Sequence, residues 1–303
     1  MRGERELRCI NIVKDAMFCK NGNPMQNPFT HKMYLDVSDD EFKKDRIWLV
    51  NSECHKSYFG LEENNREEFE CTLRVAQANP DASRFPDFIF ESGFIEHFQV
   101  TSSPTTRKGS THARKESEFR CTVDIETKEI ESEWNETPSF DKVRSKSWSF
   151  SNPTHSYEFL SDSFRSNWQH HMESYKKYTG SKQIGIFMIE YPENALAMCE
   201  NVYHDWIDGM SQGDMRGQEK FKEYRLSRDK KLLKYIYQFK NEIQYVIFLN
   251  QARIEVIRTG NIPYLIKLLP WDYAIYPLQV TTIASVYNIS IPVDQKQGDE
   301  IND

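Results

Sequence analysis

The stretch from Arg84 to Gln99 constrains the fold more than any other part of the chain. Two runs of aromatic and β-branched residues, Phe85 to Phe90 and Phe94 to Val100, are separated by the tripeptide at 91–93. Such runs predict strands, and a short link that ends in glycine predicts a β-hairpin in which Gly93 can take a positive φ. The chain is therefore expected to contain an antiparallel strand pair at this point.

The length of the turn decides which side chains of this hairpin share a face. If the loop is residues 92–93, opposite residues lie on one face and Asp87 and Glu96 come together. A three-residue loop would instead bring His97 and Gln99 to the Asp87 face and turn Glu96 away. In the first register two carboxylates converge at one end of a sheet, and carboxylate oxygens are ligands that Mg²⁺ uses.

Pro86-Asp87, the hairpin and the segment Ile95-Glu96-His97-Phe98 together resemble the PD-(D/E)xK nuclease superfamily, which has the restriction-endonuclease-like fold. The resemblance implies a metal-dependent nuclease that hydrolyses phosphodiester bonds in DNA or RNA, with a role such as genome defence or repair. It implies that Asp87 and Glu96 hold the cofactor, Mg²⁺ or Mn²⁺, which activates the attacking water.

Phe98 stands where the family has its lysine, and a phenylalanine can neither polarise a water nor contact a phosphate. Gln99, His97, His171 or Lys108 would have to supply the missing donor. The alternative function is a catalytically inactive nuclease-like fold that binds nucleic acid or protein. A third possibility is an unrelated α/β binding protein.

Two further segments bear on this site. Glu126-Thr127-Lys128 is a literal Glu-x-Lys that competes with Glu96 for the motif, although the alternating segments 120–125 and 129–134 around it predict a hairpin turn. The segment 101–118 is predicted to be a loop. Its basic residues either hold a nucleic-acid backbone or are merely mobile; the candidates for nucleic-acid binding are Arg107, Lys108, Arg114 and Lys115.

Two helices are predicted to accompany the hairpin. The first spans 62–78, and the resemblance implies that Glu68, or its neighbour Glu67, adds an acidic group to the site, whereas the alternative is a solvated acidic face. The second spans 161–178 and carries His171-x-x-x-Tyr175, which is similar to a Gln-x-x-x-Tyr signature of some family members. The alternative for these two residues is a buried histidine and a tyrosine between helix and sheet.

The nearly continuous apolar run 183–190 predicts a central strand covered on both faces. The expected fold class is therefore α/β, a mixed β-sheet core flanked by helices, restriction-endonuclease-like and with insertions. Residues 1–60 are expected to form an irregular N-terminal lead-in packed on the core, 61–293 the nuclease-like α/β domain, and 294–303 an acidic tail. The other predicted elements are a loop at 137–153, helices at 194–210 and 219–240, and strands at 245–250, 253–258 and 264–269.

Net charge, cysteine spacing and the length of the apolar runs limit the kinds of function that the chain can have. A formal net charge of −7 argues against a nonspecific basic binder but leaves room for a nuclease with local basic patches. The six cysteines include no Cys-x-x-Cys, which predicts reduced thiols in a cytoplasmic protein, and Cys9, Cys19 and His31 match no metal-ligand spacing. No apolar run approaches membrane-spanning length, so we expect nucleic acid rather than a membrane as partner, with a homo-oligomer left open.

Overall fold

The computed structural model describes residues 3–18, 58–59, 63–81, 84–106, 109–136, 143–151, 153–201, 220–221, 223–250, 254–268, 272–278 and 281–289. The chain divides into two compact units, one formed by Met1–Ser103 with His155–Leu278 and the other by Pro104–Thr154 with Gln279–Asp303. This division differs from the single domain at 61–293 that the sequence predicts. The tail at 294–303 lies outside the described residues.

A seven-stranded mixed sheet forms the centre of the first unit. Its strands are β1 (Tyr58–Phe59), β2 (Gln77–Ala78), β3 (Phe88–Phe90), β4 (Gly93–Gln99), β8 (Ile184–Tyr191), β11 (Tyr245–Asn250) and β12 (Ile254–Arg258). They lie in the order β1-β12-β11-β8-β4-β3-β2. Strand β8 is central and parallel to both β4 and β11, whereas β2, β3 and β4 are successively antiparallel. The strands predicted at 183–190, 245–250 and 253–258 are confirmed.

The hairpin of β3 and β4 pairs Phe88 with Ile95 and Phe90 with Gly93, so its loop is the dipeptide at 91–92. Extending this register places Asp87 opposite Glu96. The two side chains share a face as predicted, although the predicted loop at 92–93 would have placed Asp87 opposite Phe98. Gly93 does not take the positive φ that a turn position would allow it. Gly93 lies inside β4, where a Cβ atom would be 1.8 Å from the carbonyl oxygen of Ile184, and the close approach of β8 is what requires glycine.

Helices cover both faces of this sheet. On one face, α1 (Glu4–Phe18) and α2 (Glu63–Val75) bury Ile10, Val13, Phe69 and Leu73 in one cluster with Ile95 of β4. The helix at 4–18 corrects that part of the irregular lead-in expected at 1–60, because Cys9, Ile10 and Val13 form an apolar stripe at helical spacing. Residues 19–57 of the lead-in lie outside the described residues.

On the opposite face lies α4 (Tyr157–Lys177), which begins where the Ser156 hydroxyl accepts a hydrogen bond from the Phe159 amide. Its buried stripe repeats every four residues and packs against Phe94, Phe98 and Phe187; the stripe consists of Leu160, Phe164, Trp168 and Met172. A mixed sheet flanked by helices is therefore confirmed.

The rest of the first unit corrects several predicted elements. Residues 196–201 form strand β9 (Leu196–Asn201) rather than a helix, and it pairs with β10 (Lys220–Phe221) and β13 (Asp272–Pro277). The predicted 219–240 helix is reduced to α5 (Lys230–Tyr237), because Asp229 caps it by accepting hydrogen bonds from the Lys231 and Leu232 amides. Helix α6 (Ile262–Leu268), with a proline in its first turn, replaces the strand expected at 264–269.

The second unit contains the helix α3 (Thr111–Glu136) and an antiparallel pair, β7 (Val143–Ser151) with β14 (Thr281–Ile289); short strands β5 (Thr105–Thr106) and β6 (Gly109–Ser110) precede the helix. The helix corrects the hairpin predicted at 120–134 and the part of the predicted 101–118 loop from 111 onwards. Strand β7 corrects the predicted 137–153 loop at 143–151, whereas 137–142 lie outside the described residues. Arg120 and Glu116, one helical turn apart, form an ion pair that favours the helix. No helix among the described residues is long and apolar enough to cross a membrane.

Candidate functional site

Two predicted carboxylates meet beside the β3–β4 hairpin. Asp87 lies just before β3, and its backbone N–H donates a hydrogen bond of 3.0 Å to Glu96 Oε2 on β4. Asp87 Oδ2 accepts a hydrogen bond of 2.7 Å from the backbone N–H of His97. Glu96 is only 6% exposed. Each carboxylate thus accepts a hydrogen bond from a backbone N–H on the other side of the hairpin. These two bonds fix the positions of both carboxylates relative to the sheet.

Helix α4 brings a third predicted residue to the pair. His171 Nδ1 lies 2.7 Å from Glu96 Oε1. The imidazole stacks on Phe98, with ring centroids 4.8 Å apart and an interplanar angle of 15°. Phe98 thus supports an imidazole that reaches the site from the neighbouring helix.

The environment changes the protonation of these groups. Burial, and next the negative charge of Glu96, raise the pKa of Asp87 to about 7. Burial also lowers the pKa of His171 to about 4, against a smaller opposing effect of the Asp87 charge. The imidazole is therefore neutral at pH 7. Since an ionised carboxylate can only accept, His171 donates its Nδ1–H to Glu96, which leaves Nε2 as an acceptor.

The donor set fits a hard divalent cation. Asp87 and Glu96 offer only oxygen atoms, and one or two carboxylates with water and phosphate oxygens are the usual ligands of Mg²⁺. The pKa of Asp87 is raised because its carboxylate is buried and lies beside the negative charge of Glu96. A bound cation would neutralise this negative charge.

Two other predicted site residues lie elsewhere. The Tyr175 ring packs on Phe94 with centroids 5.7 Å apart, and Lys182 Nζ lies 4.5 Å from its centroid. Glu68 lies on α2, on the other side of the sheet, where it accepts a hydrogen bond of 2.8 Å from the Tyr245 hydroxyl. Neither contacts the Asp87–Glu96 pair.

Gln99 belongs to a second cluster, on the face of the sheet covered by α1. Its Nε2 donates to Glu190 Oε2, and its Oε1 accepts from Arg5. Arg8 Nη2 lies 2.7 Å from Glu190 Oε1. Burial would raise the pKa of Glu190, but its contacts with His97, Gln99 and Arg8 outweigh that effect and lower the pKa to about 2.

Cys9 of α1 completes this second cluster. One donor atom each of Cys9, His97 and Glu190 lies within 4.8 Å of the other two. Burial, followed by the nearby charge of Glu190, raises the pKa of the Cys9 thiol to about 12.

Each of the four predicted nucleic-acid contacts falls either outside the described residues or in the second unit. Arg107 and Lys108 lie outside the described residues. Arg114 and Lys115 lie on α3 of the second unit, where Arg114 Nε is 3.9 Å from the Glu118 carboxylate and Lys115 is exposed. Glu126, the competitor for the motif, also lies on α3, accepting a hydrogen bond from Trp148 Nε1 and pairing with Lys146.

A buried polar network that no sequence motif indicates surrounds Ser102. The Ser102 hydroxyl lies 2.8 Å from His155 Nδ1, 2.7 Å from the Tyr191 hydroxyl and 3.0 Å from Glu193 Oε2. It is not a serine nucleophile relay, because Glu193 contacts Ser102 directly and the same His155 Nδ1, and Ser102 is fully buried. The network ties together the chain before Pro104 and after Thr154, where the second unit is inserted.

No motif in the sequence marks Arg8 or Glu190 as site residues, and no spacing connects Cys9 with His97. One signal was present: Glu190 is the only charged residue in the otherwise apolar strand 184–191. Burying a charge is costly unless it is paired, so a lone carboxylate in such a strand indicates a specific partner.

Comparison with known proteins gives no assignment: no family model matches the chain, and searches of curated proteins and of solved structures find no match. Function therefore has to be inferred from the geometry of the site.

Proposed function

We propose that this protein is a metal-dependent nuclease that hydrolyses phosphodiester bonds in DNA or RNA. The observation that carries the proposal is the convergence of Asp87 and Glu96, with Glu96 bonded to the neutral imidazole of His171. The element order adds support, since helix α4 and the parallel strand β8 follow the hairpin, as expected for a nuclease-like core.

In this proposal Asp87 and Glu96 hold Mg²⁺ or Mn²⁺, which when bound would lower the pKa of a water molecule and neutralise charge developing on the phosphate. Asp87 and Glu96 are held in place by the hydrogen bonds of the hairpin backbone. No reorganisation of either strand is then needed when the site is loaded, which is the preorganisation that catalysis favours.

His171 takes the place of the missing lysine. Its Nδ1–H is directed at Glu96, and Phe98 supports the ring face, so the orientation of the imidazole is set from two sides. Nε2, the acceptor of the neutral ring, accepts a proton from the attacking water as a general base. An acidic partner that orients a histidine in this way is a recurring arrangement in hydrolases.

One observation favours a second candidate function, a nuclease-like fold that binds nucleic acid without cleaving it. Phe98 is buried at the position where the family carries lysine, and no cationic side chain among the described residues bonds to Asp87. Arg107 and Lys108 stay predicted nucleic-acid contacts for either function.

The decisive experiment incubates the purified full-length chain with single- and double-stranded DNA and RNA, in Mg²⁺ or Mn²⁺ and in EDTA. We expect metal-dependent cleavage that Glu96→Gln and His171→Asn each eliminate while nucleic-acid binding is kept. Glu91→Gln is the matched control, because Glu91 is an exposed carboxylate in the turn of the same hairpin. A wild type that binds nucleic acid but never cleaves it, together with a Phe98→Lys variant that does cleave, would establish the inactive module instead.

A further inference from the structure

A second group of potential ligands lies on the face of the sheet opposite to Glu96. Cys9 comes from α1, His97 from β4 and Glu190 from β8, and their donor atoms lie within 4.8 Å of one another. All three residues are buried, with 1%, 7% and 8% of their surface exposed. Three elements far apart in sequence thus direct a thiol, an imidazole and a carboxylate at one point.

The separation of His97 and Glu190 fits a bridging ion better than a direct hydrogen bond. His97 Nε2 lies 3.5 Å from Glu190 Oε2 and has no hydrogen-bond partner, although it is fully shielded from solvent. Hydrogen bonds from nitrogen to oxygen span about 2.7–3.2 Å. A nitrogen and an oxygen bound to one tetrahedral zinc ion, at about 2.05 and 2.1 Å from it, lie about 3.4 Å apart.

The surrounding residues hold Glu190 in the way that outer partners hold a metal ligand. Arg8 bonds Oε1 of Glu190, and Gln99 donates to Oε2, so the carboxylate cannot rotate freely. His97 and Glu190 also stand near the carboxyl ends of the parallel strands β4 and β8, the edge where open α/β sheets bind ligands.

We propose that Cys9, His97 and Glu190 bind a zinc ion that links α1 to the carboxyl ends of β4 and β8. A thiolate with an imidazole selects Zn²⁺ over Mg²⁺, which prefers oxygen ligands alone. The thiol proton of Cys9 passes to solvent when the ion binds. The described residues supply three ligands and leave a fourth position that water can fill. This site is separate from Asp87 and Glu96 and does not depend on the proposed nuclease activity.

The test uses Co²⁺ as a spectroscopic substitute for Zn²⁺ in the full-length chain after removal of metal with a chelator. One equivalent of Co²⁺ should produce the near-ultraviolet charge-transfer absorption of a cobalt thiolate, and Zn²⁺ should displace it. Cys9→Ser should lose this absorption. Cys71→Ser is the matched control and should keep it, because Cys71 is an exposed free thiol on α2.

A second variant keeps the proposal testable if Cys9→Ser fails to fold. Glu190→Gln should bind Co²⁺ at least about 100-fold more weakly, since even loss of an outer-shell partner costs about 10–100-fold. Asp87→Asn should leave the cobalt spectrum unchanged, which separates this site from the proposed nuclease centre. Absence of the absorption in the wild type, its persistence in Cys9→Ser, or unchanged affinity in Glu190→Gln would each overturn the assignment.

Discussion

Replacing Asp87 by asparagine should stabilise the metal-free protein at alkaline pH. Asparagine has nearly the same shape, and its side-chain oxygen can still accept the hydrogen bond from the His97 amide. The substitution therefore removes mainly the negative charge of Asp87, which lies beside the charge of Glu96.

The magnitude follows from the protonation of Asp87. Its pKa rises from 3.8 to about 7 on folding, which corresponds to about 4 kcal/mol. Because the folded-state pKa lies above the unfolded value, the stability that the protonated carboxyl contributes is complete below pH 3.8 and is lost as the pH rises through 7. Asp87 is partly exposed, so solvent screening reduces the difference, and we expect about 2 kcal/mol at pH 8.

Urea unfolding of both proteins in EDTA, at several pH values from 4 to 8, measures this effect. The difference in unfolding free energy between Asp87→Asn and the wild type should grow by about 2 kcal/mol over that range. Titratable groups that do not interact with Asp87 contribute equally to both proteins and cancel in the difference. Glu91→Gln, an exposed control, should change stability by less than about 0.5 kcal/mol at any pH.

Mg²⁺ supplies the second arm of the experiment. At pH 8 it should raise the unfolding midpoint of the wild type by mass action and have little effect on Asp87→Asn. A difference in stability that does not change between pH 4 and 8 would refute the reasoning, because burial and the charge of Glu96 would then not raise the pKa of Asp87. Equal stabilisation of both proteins by Mg²⁺ would place the cation elsewhere.

Three further predictions concern the scaffold. Trp168→Ala should lower the unfolding free energy by about 3–5 kcal/mol in urea denaturation, because the fully buried ring leaves a cavity, whereas Phe159→Ala on the exposed side of the same helix should cost far less. Gly93→Ala should lower the melting temperature sharply, since its Cβ would overlap a backbone carbonyl of β8, whereas Gly260→Ala, with open space around it, should melt like the wild type. Burial would raise the pKa of Glu193, but hydrogen bonds from His155, Thr101 and Ser102 lower it to about 2. The free energy of unfolding of the Glu193→Gln variant should therefore be about 2–3 kcal/mol lower than that of the wild type at pH 7. This difference should shrink as the pH falls from about 4.5 towards 2.

The elements next to the site followed from local sequence. Strongly apolar runs fixed β4 and β8, and helical spacing fixed α2 and α4 to within a few residues. The shared face of Asp87 and Glu96 was also determined locally, even though the loop is 91–92 rather than 92–93. Both loops have two residues, and strand alternation has a period of two, so either register leaves these two side chains on one face.

Local sequence patterns did not predict the helix and the strand pair of the second unit. Strand β7 pairs with β14, more than a hundred residues later in the chain, and nothing near 143–151 indicates that partner. The alternating segments around Glu126 fit a hairpin as well as a helix by composition. Pairing and burial decide between such alternatives, because the intrinsic preference of a short segment is weak compared with tertiary contacts.

Only the tertiary structure decided how the functional side chains meet. His171 and Glu96 are predictable as candidates, but their 2.7 Å contact depends on how α4 packs across β4. Cys9, His97 and Glu190 come from three separate elements, so no spacing in the sequence records their proximity. Periodicity determines which face of its own element a residue occupies, whereas the packing of different elements determines which residues share a site.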